Sequence, residues 1–261
     1  VEDIWYENER WNMSFTSNDK IVEQGVVSGS LSDDLLKREQ IRMTIEAHLD
    51  KEILLNPQGI KVLSLFFIDK VANYREYDSE GNRQNGKYAR IFEEEYNSLI
   101  QKPKYRSLFS EMKDRDVDVS QIHDGYFSVD KQSKASNRKD KFECYVDTSG
   151  KTAKDDDAFN LIMRDKERLL SFGTPLRFIF SHSALREGWD NPNVFQICTL
   201  NETTKEIKKR QEIGRGLRLC VNQEGERVKG FEVNTLTVMA NESYEEFAKA
   251  LQNEIEEDTG I

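Results

Sequence analysis

The sequence has few cysteines and few prolines. Among its 261 residues are four prolines and three cysteines, Cys144, Cys198 and Cys220, and no two cysteines form a CxxC pair. Scattered thiols are typical of a reducing cytosol and argue against a disulfide framework or a zinc site. Four prolines are too few for a long stiff linker. We therefore expect a cytoplasmic chain with one large domain or two small ones.

Long apolar runs and a basic charge balance are also absent. No run approaches the roughly 20 residues that cross a bilayer, and the N-terminus lacks a signal-peptide pattern, so we expect no membrane contact. The net charge of −10, from 38 basic and 48 acidic residues, disfavours an autonomous, sequence-blind DNA binder. Because the chain begins at Val1 and not at a methionine, we expect it to be a piece of a longer protein.

Alternating helices and strands are what the sequence does contain. Apolar residues recur at helical spacing from Asp33 to Leu55, and Asn56 to Gly59 is a stop signal. Apolar runs predict strands near 60–68, 121–127, 176–181, 194–200 and 235–240, and periodic stretches predict further helices near 88–100, 158–172, 204–217 and 243–257. This alternation predicts an α/β fold with a parallel sheet and helices on both of its faces.

Three stretches predict less regular structure. Residues 1–32 are polar and mixed, which predicts an irregular lead-in with one or two strands. Residues 130–157 are dominated by Lys, Asp, Ser and Asn, which predicts a loop-rich insertion with one hairpin strand. Residues 77–87 read as a loop. The main domain is then expected to span residues 33–257.

Two short matches to phosphate-binding loops are better explained as surface turns. Residues 81–87 read GNRQNGK, but Tyr88 follows where a Ser or Thr must ligate magnesium, and no buried strand precedes them. Residues 149–152 read SGKT, but Tyr145 occupies the position of the first glycine. No strand ends in an Asp-Glu pair that could hold magnesium, so the nucleotide-holding half of an ATPase is not apparent.

The segment KKRQEIGRGLRL at 208–219 has a different character. On a helix, Gln211, Gly214, Arg215 and Arg218 occupy positions i, i+3, i+4 and i+7, which predicts one shared face. Two guanidinium groups and an amide beside glycines suit a crowded polyanion such as a nucleotide γ-phosphate. The alternative is a solvated basic helix face.

The turn that precedes this segment favours the first interpretation. Gly188 to Pro192 follows a predicted strand, and the next strand begins at Val194. Ligands of open α/β sheets bind beyond the carboxyl ends of the strands, where this turn would lie. Asp190 can accept a hydrogen bond from a ribose hydroxyl, and Gly188 permits close backbone approach. The alternative is an ordinary helix-to-strand turn with a structural aspartate.

Together the two segments resemble motifs V and VI of superfamily 2 helicases. Over residues 35–257 the chain is also similar to the restriction (Res) subunit of type III restriction–modification systems. The segments that carry this resemblance are IKVLSLFFIDKVANY at 60–74, LIMRDKERLLSF at 161–172, FIFSHSALREGWDNPNVFQICTLNET at 178–203, KKRQEIGRGLRL at 208–219 and ANESYEEFAKALQ at 240–252.

The resemblance implies the second RecA-like lobe, or C-terminal helicase lobe, of an ATP-dependent DNA translocase. A first RecA-like lobe with the nucleotide-holding motifs would precede Val1, and a nuclease domain would follow Ile261. The further partners implied are double-stranded DNA and the methyltransferase modification (Mod) subunit. ATP and Mg²⁺ would be cofactors of the full-length subunit, while this piece alone is expected to bind neither tightly and to be inactive.

The resemblance also implies roles for individual residues. Gln211, Arg215 and Arg218 would face the ATP phosphates as catalytic residues, Gly188, Asp190 and Gly214 would lie near the nucleotide, and His182 and Ser183 would contact the DNA backbone. His182 stands where the family more usually has threonine, so a buried strand-end histidine is an alternative. Two functional alternatives also stay open, a non-catalytic module that binds nucleic acid or protein, and the second lobe of another superfamily 2 helicase.

Overall fold

The structure, a computed structural model, describes most of the central part of the chain. The described residues are 3–7, 10–15, 18–23, 33–106, 117–133, 141–146, 162, 165–182, 191–201, 213–240, 249 and 253. The chain divides into two compact units, Val1–Lys37 and Arg38–Ile261. Among the described residues, no helix is long and apolar enough to cross a membrane.

The first unit contains a small antiparallel sheet. Its strands are β1 (Asp3–Glu7), β2 (Arg10–Phe15) and β3 (Asn18–Glu23), and they pair in sequence order. The lead-in therefore holds three strands, where the sequence predicted one or two. Each strand pairs with the next one along the chain, so this sheet forms from neighbouring segments.

The remaining strands and helices follow in chain order. The strands are β4 (Leu63–Phe67), β5 (Arg75–Tyr77), β6 (Arg83–Asn85), β7 (His123–Tyr126), β8 (Ser128–Ser133), β9 (Lys141–Val146), β10 (Phe178–Ser181), β11 (Val194–Thr199) and β12 (Thr237–Met239). The helices are α1 (Asp33–Leu55), α2 (Lys87–Ile100), α3 (Val119–Ile122) and α4 (Lys166–Leu170). Short 3-10 turns span Asn56–Gln58 and Val71–Asn73.

Five of these strands form one parallel sheet, in the order β12-β11-β4-β10-β7. They are the five strands that the apolar runs predicted, so the α/β fold is confirmed. All residues of β4, β10 and β11 are buried. Continuous burial is expected for central parallel strands, because helices and loops cover both faces of such a sheet.

One face of the sheet packs against α1 and α2 through an aromatic core. Phe66 stacks on Phe180 with ring centroids 4.4 Å apart, and Phe92 of α2 meets Phe178 edge-on at 4.8 Å. On the other face the buried cluster contains Leu65, Phe67, Ile162, Leu169, Leu176, Ile179 and Ile197. Successive strand residues therefore alternate between two apolar layers.

The boundaries of α1 agree with the prediction. Its buried residues Ile41, Ile45 and Leu49 recur every four positions and face the sheet core. The helix gives way to a 3-10 turn, and Gly59 then adopts a left-handed conformation at φ 69° and donates its N–H to the Asn56 carbonyl at 3.0 Å. Glycine adopts this conformation with little strain, which explains why the stop signal works.

Other predictions need correction. Residues 77–87 were expected to form a loop, but β5 and β6 pair as an antiparallel hairpin. The polar insertion has two paired strands, β8 and β9, and not one. Within the predicted helix 158–172, the described helical residues are Ile162 and those of α4. The predicted helix 243–257 lies outside the described residues, apart from Lys249 and Asn253, which are helical.

Candidate functional site

The carboxyl ends of the central strands meet at one edge of the sheet. Ser181 of β10 and Thr199 of β11 both lie opposite Phe67 of β4, so the three strands end in register. After β4 the chain continues to β7 at one edge strand of the sheet, and after β11 it continues to β12 at the other edge. Strands whose connections diverge in this way leave a crevice between them, which is where ligands of open α/β sheets bind.

The predicted turn after β10 is described at its two ends. His182 follows the last residue of β10 and is half-buried. Ser183, Gly188 and Asp190 lie outside the described residues, so their predicted roles stay predictions. Asn191 and Asn193, which lead into β11, are both fully buried.

The arginine segment, residues 213–219, does not continue the predicted helix. Ile213 is helical, but Gly214 to Gly216 form a turn in which the Gly216 N–H donates to the Ile213 carbonyl at 2.9 Å. A Cβ on Gly216 would lie 2.4 Å from a methyl carbon of Leu236. Glycine costs about 1 kcal/mol inside a helix, and this close contact requires glycine, so the helix ends here.

The shared helix face was therefore the wrong reason for grouping the predicted phosphate ligands. Arg215 and Arg218 lie on turn and irregular backbone and both are half-buried, while Gly214 is exposed. Gln211 lies outside the described residues. Ile213 packs against Leu236, Val238 and Ala240 and so docks the start of the segment beside β12.

Asn193 fixes the chain just beyond the arginine segment. Its Oδ1 accepts the Val221 N–H at 2.8 Å, and its Nδ2 donates to the Val221 carbonyl at 2.9 Å and to the Lys61 carbonyl at 3.0 Å. Its backbone carbonyl accepts the Leu63 N–H at 2.9 Å, and its backbone N–H donates to Asn191 Oδ1 at 3.1 Å. Sequence reasoning missed this residue, although an Asn-Pro-Asn run before a buried strand is a recognisable signal for a side chain that bonds backbone.

Asn234 makes a second contact of this kind. Its Oδ1 accepts the Cys220 N–H at 2.9 Å, and its Nδ2 donates to the carbonyls of Val228 and Gly230 at 3.0 and 2.9 Å. Between these residues, Val221 and Arg227 form an isolated antiparallel bridge. The arginine segment thus ends at a small hairpin that two asparagine side chains hold in place.

The GNRQNGK run, predicted as a surface turn, contains the second strand of the β5–β6 hairpin. Arg83 to Asn85 form β6, and Gly86 is buried with its N–H bonded to the Tyr74 carbonyl at 2.8 Å. A Cβ on Gly86 would lie 2.3 Å from the Ala72 carbonyl oxygen, so close backbone packing explains this glycine. The SGKT run lies outside the described residues.

A buried ionic network lies at the amino ends of β4 and β10, opposite the carboxyl edge of the sheet. Arg177 Nη1 is 3.4 Å from Oε1 of Glu52, and Arg177 Nη2 donates to the Tyr96 hydroxyl at 3.0 Å. His48 Nε2 is 3.2 Å from Glu52 Oε1, and its Nδ1 is 2.7 Å from Ser64 Oγ. The Glu52, His48 and Arg177 side chains are at most 3% exposed, so α1 is tied to β4 and β10 by groups that have left water.

Burial and charge move the pKa values of this network. Burial by itself raises the pKa of Glu52, but the charge of Arg177 and the contact with His48 outweigh it and hold that pKa at about 2. Burial lowers the pKa of His48 from its ordinary 6.5, against the opposing effect of Glu52. Near neutral pH the network therefore contains an ionised Glu52 beside Arg177 and a neutral His48.

This arrangement predicts acid-sensitive folding. A histidine whose pKa is lower in the folded state leaves stability unchanged above pH 6.5 and reduces it as the pH falls below that value, because the unfolded chain then binds more protons. Glu52 adds a second loss that begins below its ordinary pKa of 4.5 and continues toward about 2. Urea unfolding from pH 8 to pH 5 should show the first loss, and His48→Gln should flatten it. An unchanged slope in that variant would contradict the assignment.

A second polar network, partly buried, joins the β5–β6 hairpin to the core. The Tyr74 hydroxyl is 2.8 Å from His123 Nδ1, and His123 Nε2 is 3.2 Å from Glu93 Oε1, which also accepts from Asn85 Nδ2 at 2.8 Å. The hydrogen bond from His123 lowers the pKa of Glu93, and burial raises the pKa of Tyr74 well above 10. These contacts hold the entrance to α2, and His123 lies at the beginning of β7, away from the carboxyl edge.

A resident metal centre is not evident in the described part of the chain. Within those residues, no group of three or more His, Cys, Asp or Glu side chains is placed to hold an ion. Cys198 and Cys220 are buried in two separate apolar clusters of the core. The site built from this chain is therefore composed of strand ends, the arginine segment and the asparagines that hold it.

These features place the second unit in the RecA-like class of α/β domains. No family model matches the chain. It is 40% identical over 199 residues to the Res subunit of the type III restriction-modification enzyme EcoPI from Escherichia phage P1, a match that covers 76% of this chain and 19% of that protein. It is 41% identical over 204 residues to the EcoP15I Res subunit from Escherichia coli, with 76% and 19% covered.

A third relative agrees with these two. The Res subunit of StyLTI from Salmonella typhimurium is 34% identical over 223 residues, which cover 79% of this chain and 20% of the relative. The three matches indicate that the chain corresponds to a part of type III restriction enzyme Res subunits. It spans about a fifth of the length of these relatives.

Proposed function

We propose that this chain is the second motor lobe of an ATP-dependent DNA translocase within a type III Res subunit. Residues 33–257 form the lobe, and residues 1–32 lead into it from a first RecA-like lobe that carries the nucleotide-holding motifs. The observation that carries the proposal is the arginine segment, docked beside β12 at Ile213 and held at Val221 by Asn193. Such a segment presents two arginines from a fixed backbone.

The arginines of this chain suit the phosphate end of a nucleotide. Arg215 and Arg218 are half-buried, so part of each residue stays accessible to a ligand. In the assembled subunit, Gln211, Arg215 and Arg218 face the ATP phosphates, and Gly188, Asp190 and Gly214 lie beside the nucleotide. Bound ATP supplies the free energy of phosphoanhydride hydrolysis. In this proposal the first lobe, with its nucleotide-holding motifs, would hold Mg²⁺.

The other partners follow from the parent enzyme. Double-stranded DNA would pass along the carboxyl edge of the sheet near His182 and Ser183, and the Mod subunit would supply sequence recognition. A nuclease domain of the same subunit would cut the DNA. The arginines of this lobe stabilise charge that develops on the transferred phosphoryl group, a contribution worth about 10³–10⁵ in rate.

The isolated chain should show no ATP turnover above background. In this proposal the phosphate cradle and the metal site belong to the first lobe, so the isolated chain would offer ATP neither. Measuring phosphate release from the purified 261-residue chain, with Mg²⁺ and duplex DNA present, tests this directly. Clear turnover that copurifies with the chain would contradict the two-lobe assignment.

Duplex-DNA titration of the same chain separates the proposal from a non-catalytic binding module. A module that grips phosphates by itself loses affinity steeply as salt rises, by roughly one logarithmic unit of slope per phosphate contact. The motor-lobe assignment predicts weak binding at physiological salt, because the net charge is −10 and the other DNA contacts lie elsewhere in the subunit. Tight binding with a steep salt slope would favour the module.

A further inference from the structure

We propose that Asn193 is a positioning residue that couples the start of β11 to the arginine segment, an inference that rests on the proposed function. Asn193 is fully buried and lies three residues after Asp190 and two before Phe195 of β11. Its partner Val221 lies three residues after Arg218. The side chain of Asn193 therefore joins the two parts of the chain that the proposed ATP site needs to keep together.

The bonding pattern explains why an asparagine is required there. The amide of Asn193 pairs with the peptide of Val221 in a ring of two hydrogen bonds, 2.8 and 2.9 Å long, in the way that one peptide group pairs with another. Its second Nδ2 hydrogen goes to the Lys61 carbonyl at 3.0 Å. Aspartate has nearly the same shape but lacks both donors, and it would set a charge against two carbonyl oxygens. Alanine would leave the Val221 N–H and the carbonyls of Val221 and Lys61 without these partners.

The contacts that hold the arginine segment in place reach different strands of the sheet. Ile213 and Gly216 rest on residues 236–240, and Asn234 bonds Cys220, so these contacts tie the segment to β12 and its approach. Asn193 instead ties it to the amino ends of β4 and β11, at the edge of the sheet opposite the carboxyl-edge crevice. A displacement at Asn191 to Asn193 is therefore transmitted to the end of the arginine segment.

The test is a double-mutant cycle in the full-length Res subunit, with Asn193→Asp and Arg215→Ala alone and together. Asn193→Asp should lower the kcat of ATP hydrolysis by about 10- to 100-fold with KM for ATP little changed, since a displacement of about 1 Å of a catalytic group costs up to 10²-fold. In the Arg215→Ala background it should have almost no further effect on kcat. A purely structural role would give additive losses.

Asn82→Asp is the matched control. Asn82 is exposed in the turn between β5 and β6, where its Nδ2 donates to Asp78 Oδ2 at 2.8 Å, so the change removes a side-chain donor away from the arginine segment and should leave kcat within about threefold of the parent. If Arg215→Ala is slow but Asn193→Asp is as fast as the parent, or slows both backgrounds equally, the coupling role is overturned while the motor-lobe proposal stands. If Arg215→Ala itself is as fast as the parent, the motor-lobe proposal fails, and the coupling with it.

Hydrogen exchange in the unmodified chain tests, without any variant, whether the hydrogen bonds between Asn193 and Val221 persist in solution. The amides of Val221 and Leu63 are both bonded to Asn193, so they should exchange at similarly slow rates. Glu224, whose N–H bonds a side chain in the exposed turn of the same hairpin, supplies the fast reference. If the Val221 amide exchanges as fast as that of Glu224, the hydrogen bonds to Asn193 do not persist in solution and the coupling proposal is overturned.

Discussion

Replacing Arg215 by alanine in the full-length Res subunit should reduce the kcat of ATP hydrolysis by roughly 10³-fold, the lower end of the range for an arginine that acts on a transferring phosphoryl group. The KM for ATP should change far less, because the loss falls mainly on the transition state. Single-turnover and steady-state assays of phosphate release measure both constants. Arg215 lies in the turn between Ile213 and Gly216, so truncating its side chain leaves the backbone contacts of the segment intact.

Arg106→Ala is a suitable control for the loss of an arginine. Arg106 is exposed and lies beyond the end of α2, so its removal should leave both constants unchanged. Arg218→Ala should show a loss similar in kind to that of Arg215→Ala if both guanidinium groups face the phosphates. A wild-type kcat in Arg215→Ala would assign Arg215 to structure alone and remove the main support for the motor-lobe proposal.

Glu52→Ala should destabilise the chain by about 3–5 kcal/mol, the cost of leaving a buried ion without its partner. The Arg177 guanidinium is 3% exposed and would lose the carboxylate that lies 3.4 Å away. Urea unfolding at pH 7.5, followed by circular dichroism, measures the change in the free energy of unfolding. Removal of both charges in Glu52→Leu with Arg177→Met should recover much of the loss, since an apolar pair of similar volume needs no hydration.

Glu39→Ala supplies the comparison on the same helix. Glu39 forms an exposed pair with Arg42 one turn away, and such surface pairs contribute at most about 1 kcal/mol. If Glu52→Ala cost no more than Glu39→Ala, the buried network would not be a source of stability. A double variant less stable than Glu52→Ala would contradict the physical account in another way, by showing that lost packing outweighs the stranded charge.

Local patterns accounted for most of the secondary structure. The helix Asp33–Leu55 was predicted at its observed bounds, because helical spacing of apolar residues and a left-handed glycine beyond the last turn are properties of neighbouring residues. All five strands of the parallel sheet were found for the same reason: buried central strands read as continuous apolar runs. The hairpin of β5 and β6 was missed because its strands are short and polar.

The candidate site was predictable in its residue types and only partly in its geometry. The arginine segment was singled out by composition, yet its helical face was wrong because Gly216 is needed against Leu236, 20 positions later in the chain. Asn193 was overlooked because its partner Val221 is 28 positions away and nothing in the local pattern identifies it. Such contacts join residues that approach one another only after the sheet has formed.

The sequence by itself determined the α/β class, the five central strands and the resemblance to type III Res subunits, since periodicity and motif order need no knowledge of packing. Tertiary structure alone decided the strand order β12-β11-β4-β10-β7, which brings the ends of β4, β10 and β11 into register. It also decided that Glu52 meets Arg177 across 125 positions and that Asn193 holds Val221. The reason is that burial turns distant polar groups into obligatory partners, because those left unpaired away from water cost free energy.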